Sequence, residues 1–454
     1  MFSLGIDFGT SGARAIAISC PNATSFPNTT SFPNVDERYG GRNWDEPCEI
    51  VAEAAFKFAD YALKDPGDSS LTTQWRDTLF ALISAIPSDI RIQIQRIAVN
   101  GTSATMMLCN ERGDTVEPPL MYNDTSAKAA LAEVRAIAPP NSPTISATST
   151  LTKALWLSRN LHLPATDEHR HYIAHQADWL SFLLHRQPRT TDYHNALKLG
   201  YDVQTLSYPN WLLSSSVAPL LPDVVAPGER IGPIHAELAD HLGLARDCQI
   251  CAGTTDSIAA FLASGARQTG EAVTSLGSTL VIKLLSADPV DDQHFGIYSH
   301  RLGSRWLCGG ASNTGGAVLS RFFSPEQIST LSAQINPNQP CALNYYPLLS
   351  PGERFPINDP DYLPRLTPRP DSERDFLHGL LEGMAQIEAD GYQKLNDLGA
   401  PTLRRVYTAG GGAQNKTWRT IRQRKLGVEV TMAAQTAAAY GTALLAMHGL
   451  SSFL

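Results

Sequence analysis

Leu4-Gly5-Ile6-Asp7-Phe8-Gly9-Thr10-Ser11-Gly12-Ala13-Arg14-Ala15-Ile16-Ala17-Ile18 is the stretch on which the reading of the whole chain turns. It has the pattern of an apolar strand, a glycine-rich reversal and a second strand of small and β-branched residues. One carboxylate, two hydroxyls and the glycines Gly9 and Gly12 sit at or beside the turn. Glycines let a backbone approach an anion closely, and successive turn N–H groups can point at a phosphate. Thr10 and Ser11 add hydroxyl donors, and Asp7 can hold a phosphate-bound Mg²⁺ through its waters. An ordinary β-hairpin would use the same Asp and Gly merely to shape its turn. The rest of the chain decides between the two.

The chain has 454 residues, too many for one hydrophobic core, and fits two domains. Apolar residues make up 43% and charged residues 18%, a globular composition. A net charge of −8 argues against nucleic acid or an anionic membrane as partner. No stretch reaches the apolar length of a membrane span. The first strand is expected to begin within three residues of Met1, and on that reading no leader is expected. Seven cysteines, odd in number and sparse, predict reduced thiols and a cytoplasmic location. The pair Cys248 and Cys251 lies in a strand-like run, where an offset of three puts the side chains on opposite faces. It has no second pair to complete a zinc site, so it reads as structural.

Residues 24–34 hold a tandem Thr-Ser-Phe-Pro-Asn repeat, expected as extended chain and turns. Helices are predicted near 46–63, where Ile50, Val51, Ala54, Phe58 and Tyr61 have helical spacing, and near 71–86. Ile94–Asn100 reads as a strand ending in Gly101-Thr102-Ser103-Ala104, the place where α/β sheets usually present ligand contacts. A hairpin about Glu111–Asp114 leads to a second polar cluster, Tyr122-Asn123-Asp124. Helices follow near 126–137, 151–161 and 175–185, with Asp178 placed to cap the third. Thr191–Asn195 is a polar loop facing either a pocket or solvent, and Pro219–Gly232 reads as a connector. A strand from Gln249 ends in Gly253-Thr254-Thr255-Asp256 and runs into a helix to Gly265. The domain change is expected here, with 1–263 as the first domain and 264–454 as the second. A last helix near 436–448 is free to pack back on the first. The second part opens with strands about Gly277-Ser278. Eight prolines across 340–372 mark an irregular excursion. Then come a helix over 375–398, a strand ending in Gly410-Gly411-Gly412-Ala413-Gln414-Asn415, a helix over 416–426 and a strand over 428–432.

Three turns carry possible chemistry. Asp7–Gly12 and Ser275–Thr279 are hairpins of like character in different halves, as expected for phosphates gripped between two opposed turns. Gly410–Asn415 closes a strand and opens a helix, where glycines let a flat base lie on the backbone and free helix N–H groups are available. Asn415 can bond a base edge, and Trp418 can wall the pocket; alternatively the run is a flexible loop and Trp418 is core. Asp256 follows three small residues between strand and helix. A carboxylate there accepts the proton of an attacking hydroxyl, or simply caps the helix.

The ordered set Asp7-x-Gly-Thr-Ser-Gly, Gly253-x-x-Asp256, Ser275-Leu-Gly-Ser-Thr279 and Gly410-Gly-Gly-Ala-x-Asn415 resembles the FGGY carbohydrate kinases, of the actin, Hsp70 and sugar-kinase superfamily. The resemblance runs from Met1 to about His448. It implies an α/β protein of two RNase H-like domains, a nucleotide cleft between them, and ATP with Mg²⁺ phosphorylating a sugar hydroxyl. Asp256 falls on the family's catalytic base, and Asp7 and Thr10 on its metal and phosphate positions. Gly411, Gly412 and Asn415 fall on its adenosine site. Gly9, Thr10, Ser11, Gly12, Gly277 and Ser278 are expected around the phosphates, and Ser103 and Asp124 on the sugar. Xylulokinases usually have Gly-Gln-Met-His-Gly where this chain has Gly101-Thr102-Ser103-Ala104-Thr105. Gly-Thr-Ser there resembles the short D-ribulose kinases of cyanobacteria and plants. The expectation is a cytoplasmic D-ribulose kinase, monomer or homodimer, with sugar and ATP as its partners; D-xylulose, another polyol or a non-catalytic sensor are the alternatives.

Overall fold

A computed structural model describes residues 1–20, 48–60, 70–161 and 171–450. The Thr-Ser-Phe-Pro-Asn repeat lies outside the described residues. The chain divides into two compact units, one of residues 1–263 with 437–453, the other essentially 264–436.

In the first unit, strands β1 (Phe2–Phe8), β2 (Gly12–Ser19), β3 (Glu49–Lys57), β4 (Ile94–Gly101), β5 (Met106–Asn110), β6 (His171–His175), β7 (Thr190–Asp192), β8 (Asp223–Val225), β9 (Arg230–Pro233) and β10 (Gln249–Thr255) follow in order. Six of them form one sheet, β3-β2-β1-β4-β10-β9. β3, β2 and β1 are an antiparallel meander; β1, β4 and β10 run parallel. The near-continuous apolar run of β1, with Leu4, Ile6 and Phe8 fully buried, is that of a central strand covered on both faces. One cover is the helix Ala438–His448: a Cβ on Gly5 would lie 2.1 Å from the Ala439 carbonyl oxygen, so only glycine admits this helix. Ser3 Oγ donates to the Ala443 carbonyl (2.8 Å), and Asn100 Nδ2 to Thr442 Oγ1 (2.6 Å). On the other face Trp75 and Leu79 of the helix Leu71–Ala85 join Trp179 and Leu180 of the helix Gln176–His185. The pair β5–β6 carries its own core, with Leu151, Leu155 and Val134 from neighbouring helices.

Three expectations are corrected here. Residues 49–57 form β3, not a helix. β2 would otherwise expose a row of unpaired backbone groups, and β3 satisfies them from Gly12↔Lys57 to Ser19↔Glu49. That pairing overrides an apolar spacing too short to separate helix from strand. The connector at 219–232 contributes β8 and most of β9, which lies at the sheet edge, where Pro233 is tolerated. Cys20 and Cys48, set side by side by the β2–β3 pairing with Cα atoms 4.5 Å apart, form a disulfide, so the expectation of reduced thiols fails for them. Cys248 packs in the large core and Cys251 against Ala98 and Ala446, on different faces as the offset of three requires.

The second unit contains β11 (Glu271–Leu276), β12 (Leu280–Ser286), β13 (His300–Leu302), β14 (Arg305–Ser312), β15 (Arg405–Ala409) and β16 (Glu429–Met432) in a sheet ordered β13-β14-β12-β11-β15-β16. The 25-residue helix Glu373–Asp397 and the helix Lys416–Leu426 pack on it. Between them Arg422 makes two bonds to the Glu388 carboxylate (2.6 and 2.7 Å) and one to Thr408 Oγ1. Thr274 Oγ1 donates to the same carboxylate, so each guanidinium nitrogen and both carboxylate oxygens of this buried pair have a hydrogen-bond partner.

Candidate active site

Strand register assembles a polar cluster in the first unit. Phe8 pairs with Gly101, and Gly101 with Thr255, across three parallel neighbours. Gly9, Thr102 and Asp256 are therefore the first residues past the adjacent carboxyl ends of β1, β4 and β10, where open α/β sheets bind ligands. Asp7 lies one residue inside, between Arg14 on β2 and Asn100 on β4. Its pKa is pushed up to about 6, first by burial and then by the Asp256 charge; Arg14 and a hydrogen bond from Asn100 oppose the rise. A carboxylate held so poorly by the protein suits a divalent cation. Asp256 opens the helix Asp256–Ala263, and its Oδ1 accepts from the Ser257 N–H at 2.6 Å. Thr10 and Ser11 are exposed at the turn.

The glycines of this turn divide by cause. A Cβ on Gly12 would meet the Phe56 carbonyl oxygen at 2.4 Å, so Gly12 is glycine to admit β3. Gly9 would meet only the Gly12 carbonyl oxygen, at 3.6 Å. The fold leaves Gly9 free to vary.

Ser103 is half-buried, while Gly101, Thr102, Ala104 and Thr105 around it are buried. Thr102 donates through both N–H and Oγ1 to Gln176 Oε1 (2.9 and 3.0 Å). Thr105 Oγ1 accepts from the Tyr122 N–H, tying this loop to the Tyr122-Asn123-Asp124 cluster. Asp124 accepts from the Ser126 N–H at 2.7 Å, and hydrogen bonds from the Ser126 side chain and then its N–H hold the carboxyl below the usual range. Gln176 Nε2 and Thr255 Oγ1, on residues fully buried beside these strand ends, have no partner among the described residues. Buried polar atoms of that kind fit a polyhydroxyl ligand. Thr191–Asn195 is neither loop nor solvent-facing: it is buried as β7 and a short helix capped by Asp192, whose pKa burial raises to about 7. Gln176 and Lys153 gave no sequence signal beyond a place in a helix.

The second unit holds a cavity of about 850 Å³, within the range of small-molecule sites. Gly277, Ser278, Gly411, Gly412, Asn415 and Trp418 all line it. The sequence reading missed its other wall, from Gly316 and Ala317 and from Ile328, Ser329 and Ser332 of the helix Pro325–Ser332. Those residues carry no motif. In the glycine run, Gly410 has φ +82° and its Cβ would strike the Leu276 carbonyl oxygen at 2.6 Å. Gly412 packs on the Trp418 ring, and a Cβ on Gly411 would meet nothing within 4 Å. Gly411 thus offers the bare backbone on which a flat base can lie. Asn415 caps the helix Lys416–Leu426, accepting from the Trp418 N–H, while its Nδ2 donates to Ser332 Oγ. The expected base contact is therefore first a fastening between two pocket walls. Trp418 is both wall and core, only 1% exposed.

Residues 272–450 match the FGGY family of carbohydrate kinases, C-terminal domain. A xylulose kinase of Staphylococcus epidermidis is 21% identical, over 99% of this chain and 88% of that protein. A ribulokinase of Shouchella clausii is 23% identical, over 63% of this chain and 54% of that protein. The crystal structure of a xylulose kinase from Rhodospirillum rubrum aligns with a TM-score of 0.77 and 21% identity, over 100% of this chain and 92% of that one. That likeness establishes the two-domain α/β fold.

Proposed function

We propose that this chain, which belongs to the FGGY carbohydrate kinases through residues 272–450 and is a phosphotransferase, moves the γ-phosphoryl group of ATP onto the terminal hydroxyl of a ketopentose, D-ribulose first. The observation that carries this reading is the placement of Asp7, Ser103 and Asp256 at the neighbouring carboxyl ends of β1, β4 and β10: Asp7 inside its strand, Ser103 in the loop that follows, Asp256 at the start of a helix.

ATP supplies the phosphoryl group; Asp7 would hold a Mg²⁺ ion, which would supply positive charge to offset that of the phosphates. The cavity beside Gly411 and Trp418 takes the adenosine. Asp256 accepts the proton of the attacking sugar hydroxyl, a role that typically contributes about 10²–10⁴ in rate. Thr10 and Ser11, with Gly277 and Ser278, offer donors to the phosphoryl oxygens. Ser103 and Asp124 bond the sugar.

D-Xylulose is the second reading, favoured by the names of the full-length relatives. The two ketopentoses differ in one hydroxyl, at C3. A site that bonds one epimer leaves a buried polar group unpaired with the other, at a cost of roughly 1–3 kcal/mol. D-Ribulose is therefore expected to be turned over at least about tenfold more efficiently than D-xylulose, and Ser103→Ala to narrow that gap by weakening D-ribulose. An ADP-release assay across pentoses, hexoses and polyols checks both. Equal efficiency in the wild type, or an unchanged ratio in the variant, sinks the role given to this loop.

A further inference from the structure

Lys153, in the helix Thr150–Asn160, is fully buried, unusual for an ammonium group. Its Nζ donates to two backbone carbonyls far apart in sequence, Ala104 at 2.9 Å and Met121 at 2.6 Å. Each carbonyl adjoins one of the polar clusters assigned to the sugar. Ala104 directly follows Ser103, and Met121 opens the segment that contains Asp124. Ala104 also has φ +66°, a left-handed conformation that a residue with a Cβ adopts only when its surroundings hold it there. Thr102, Thr105 and Gln176 hold the same loop from its other side.

We infer that Lys153 is a positioning residue for the acceptor site: by clamping the Ala104 and Met121 carbonyls with one cation, it fixes Ser103 and Asp124 relative to each other and so sets sugar affinity and epimer choice. The inference rests on the reading that these two loops hold the sugar. No neutral side chain reaches both carbonyls with charge-assisted bonds, and an apolar one would leave the buried Ala104 oxygen without this partner and the Met121 oxygen with the Asp124 N–H alone (2.9 Å). The charged groups acting on Lys153 are Asp124, which favours the ammonium, and Lys198, which opposes it. Burial outweighs Asp124 and lowers its pKa to about 8. The clamp therefore weakens across a range in which the sugar does not titrate.

The test uses the full chain with Lys153→Met and Lys153→Arg, measuring kcat and KM for D-ribulose, D-xylulose and ATP from pH 6.5 to 9.5. Lys153→Met is expected to raise the KM of the preferred sugar about tenfold or more and to shrink the epimer ratio, with the KM for ATP within about twofold. In the wild type, sugar KM is expected to climb severalfold above about pH 8; Lys153→Arg, whose charge does not titrate there, flattens that climb. A folded Lys153→Met enzyme with unchanged sugar KM overturns the inference. If Lys153→Met does not fold, an Arg variant with the wild-type pH climb does so instead. Ser103→Ala run in parallel separates the failures. If it raises sugar KM while Lys153→Met does not, the loops hold the sugar and only the clamp is wrong. If neither variant moves sugar KM, the assignment of the loops falls with the clamp.

Discussion

The first unit orders its strands β3-β2-β1-β4-β10 and the second β14-β12-β11-β15-β16, and both are an antiparallel meander followed by two parallel strands. The leading hairpins align along their first strands, Asp7-Phe8-Gly9-Thr10 standing where the other has Ser275-Leu276-Gly277-Ser278, but the first turn is one residue longer: Phe8 pairs with Ala13 and Leu276 with Leu280. What the strand ends carry is different. In the first unit they offer side chains that can bond or take a proton: Asp7, Ser103 and Asp256. In the second they offer backbone and space, through Gly277 and Gly410–Gly412. Buried charge is treated differently as well. The second unit pairs Glu388 with Arg422 inside its core, whereas the first leaves Asp7 with its pKa near 6. One topology thus serves two tasks, and the residues just past the strand ends decide which.

The largest effect expected is on that division. Asp256→Ala should cut sugar phosphorylation by about 10²–10⁴, while affinity for ATP, assigned to the other unit, stays nearly intact. Steady-state kinetics with nucleotide-binding titrations check this. Near wild-type turnover would make Asp256 only the start of a helix, and the two units would no longer differ in chemistry.

Much of this contrast is legible in the chain, because hairpin turns, strand–helix junctions and glycine runs are written in local sequence. Both hairpins, the junction at Asp256 and the turn at Gly410 are of this kind. What stays hidden depends on partners distant in sequence. β3 is a strand because β2 needs an edge partner, and Cys20 meets Cys48 only through that pairing. Ile328 and Ser332 line the cavity because their helix lies beside Asn415, which their own sequence does not record. Lys153 reads as one more residue of an amphipathic helix until Ala104 and Met121 are seen to share it. Even where the motif is right the cause can differ: Gly12 and Gly410 are demanded by β3 and by Leu276, not by a phosphate.

The contrast at Asp7 has a thermodynamic side. A carboxyl whose folded pKa is raised from 3.8 to about 6 binds protons more tightly folded than unfolded. Its favourable contribution is complete below pH 3.8 and is lost as pH rises through 6, so above pH 6 the charged group costs stability. Asp7→Asn removes that charge. Without nucleotide or divalent cation the variant should gain about 1–2 kcal/mol at pH 7.5, roughly 2–8 °C in melting temperature, while its kinase activity collapses. The gain should fade below about pH 4. A variant less stable than wild type at pH 7.5 would mean that Arg14 and Asn100 already compensate the carboxylate, as Arg422 compensates Glu388.

The smallest expected effect on folding is at the turn glycines, where it sharpens the comparison most. A Cβ on Gly9 would approach nothing closer than the Gly12 carbonyl oxygen at 3.6 Å; on Gly277, nothing closer than the Thr279 carbonyl oxygen at 3.8 Å; on Gly411, nothing within 4 Å. None of the three has a positive φ. The fold therefore demands glycine at none of them, and Ala should change stability by less than about 1 kcal/mol at each, in either direction. Gly12→Ala and Gly410→Ala, by contrast, should destabilise clearly, because their Cβ atoms would strike backbone at 2.4 and 2.6 Å. If the first three are glycine for the sake of a ligand, their Ala variants fold normally yet lose affinity for ATP, Gly411→Ala through the base and Gly9→Ala and Gly277→Ala through the phosphates. Differential scanning calorimetry beside nucleotide titration separates the two groups. Wild-type ATP affinity in all three would mean that bare backbone at these turns serves neither the fold nor a nucleotide, and the likeness of the two hairpins would then be topological only.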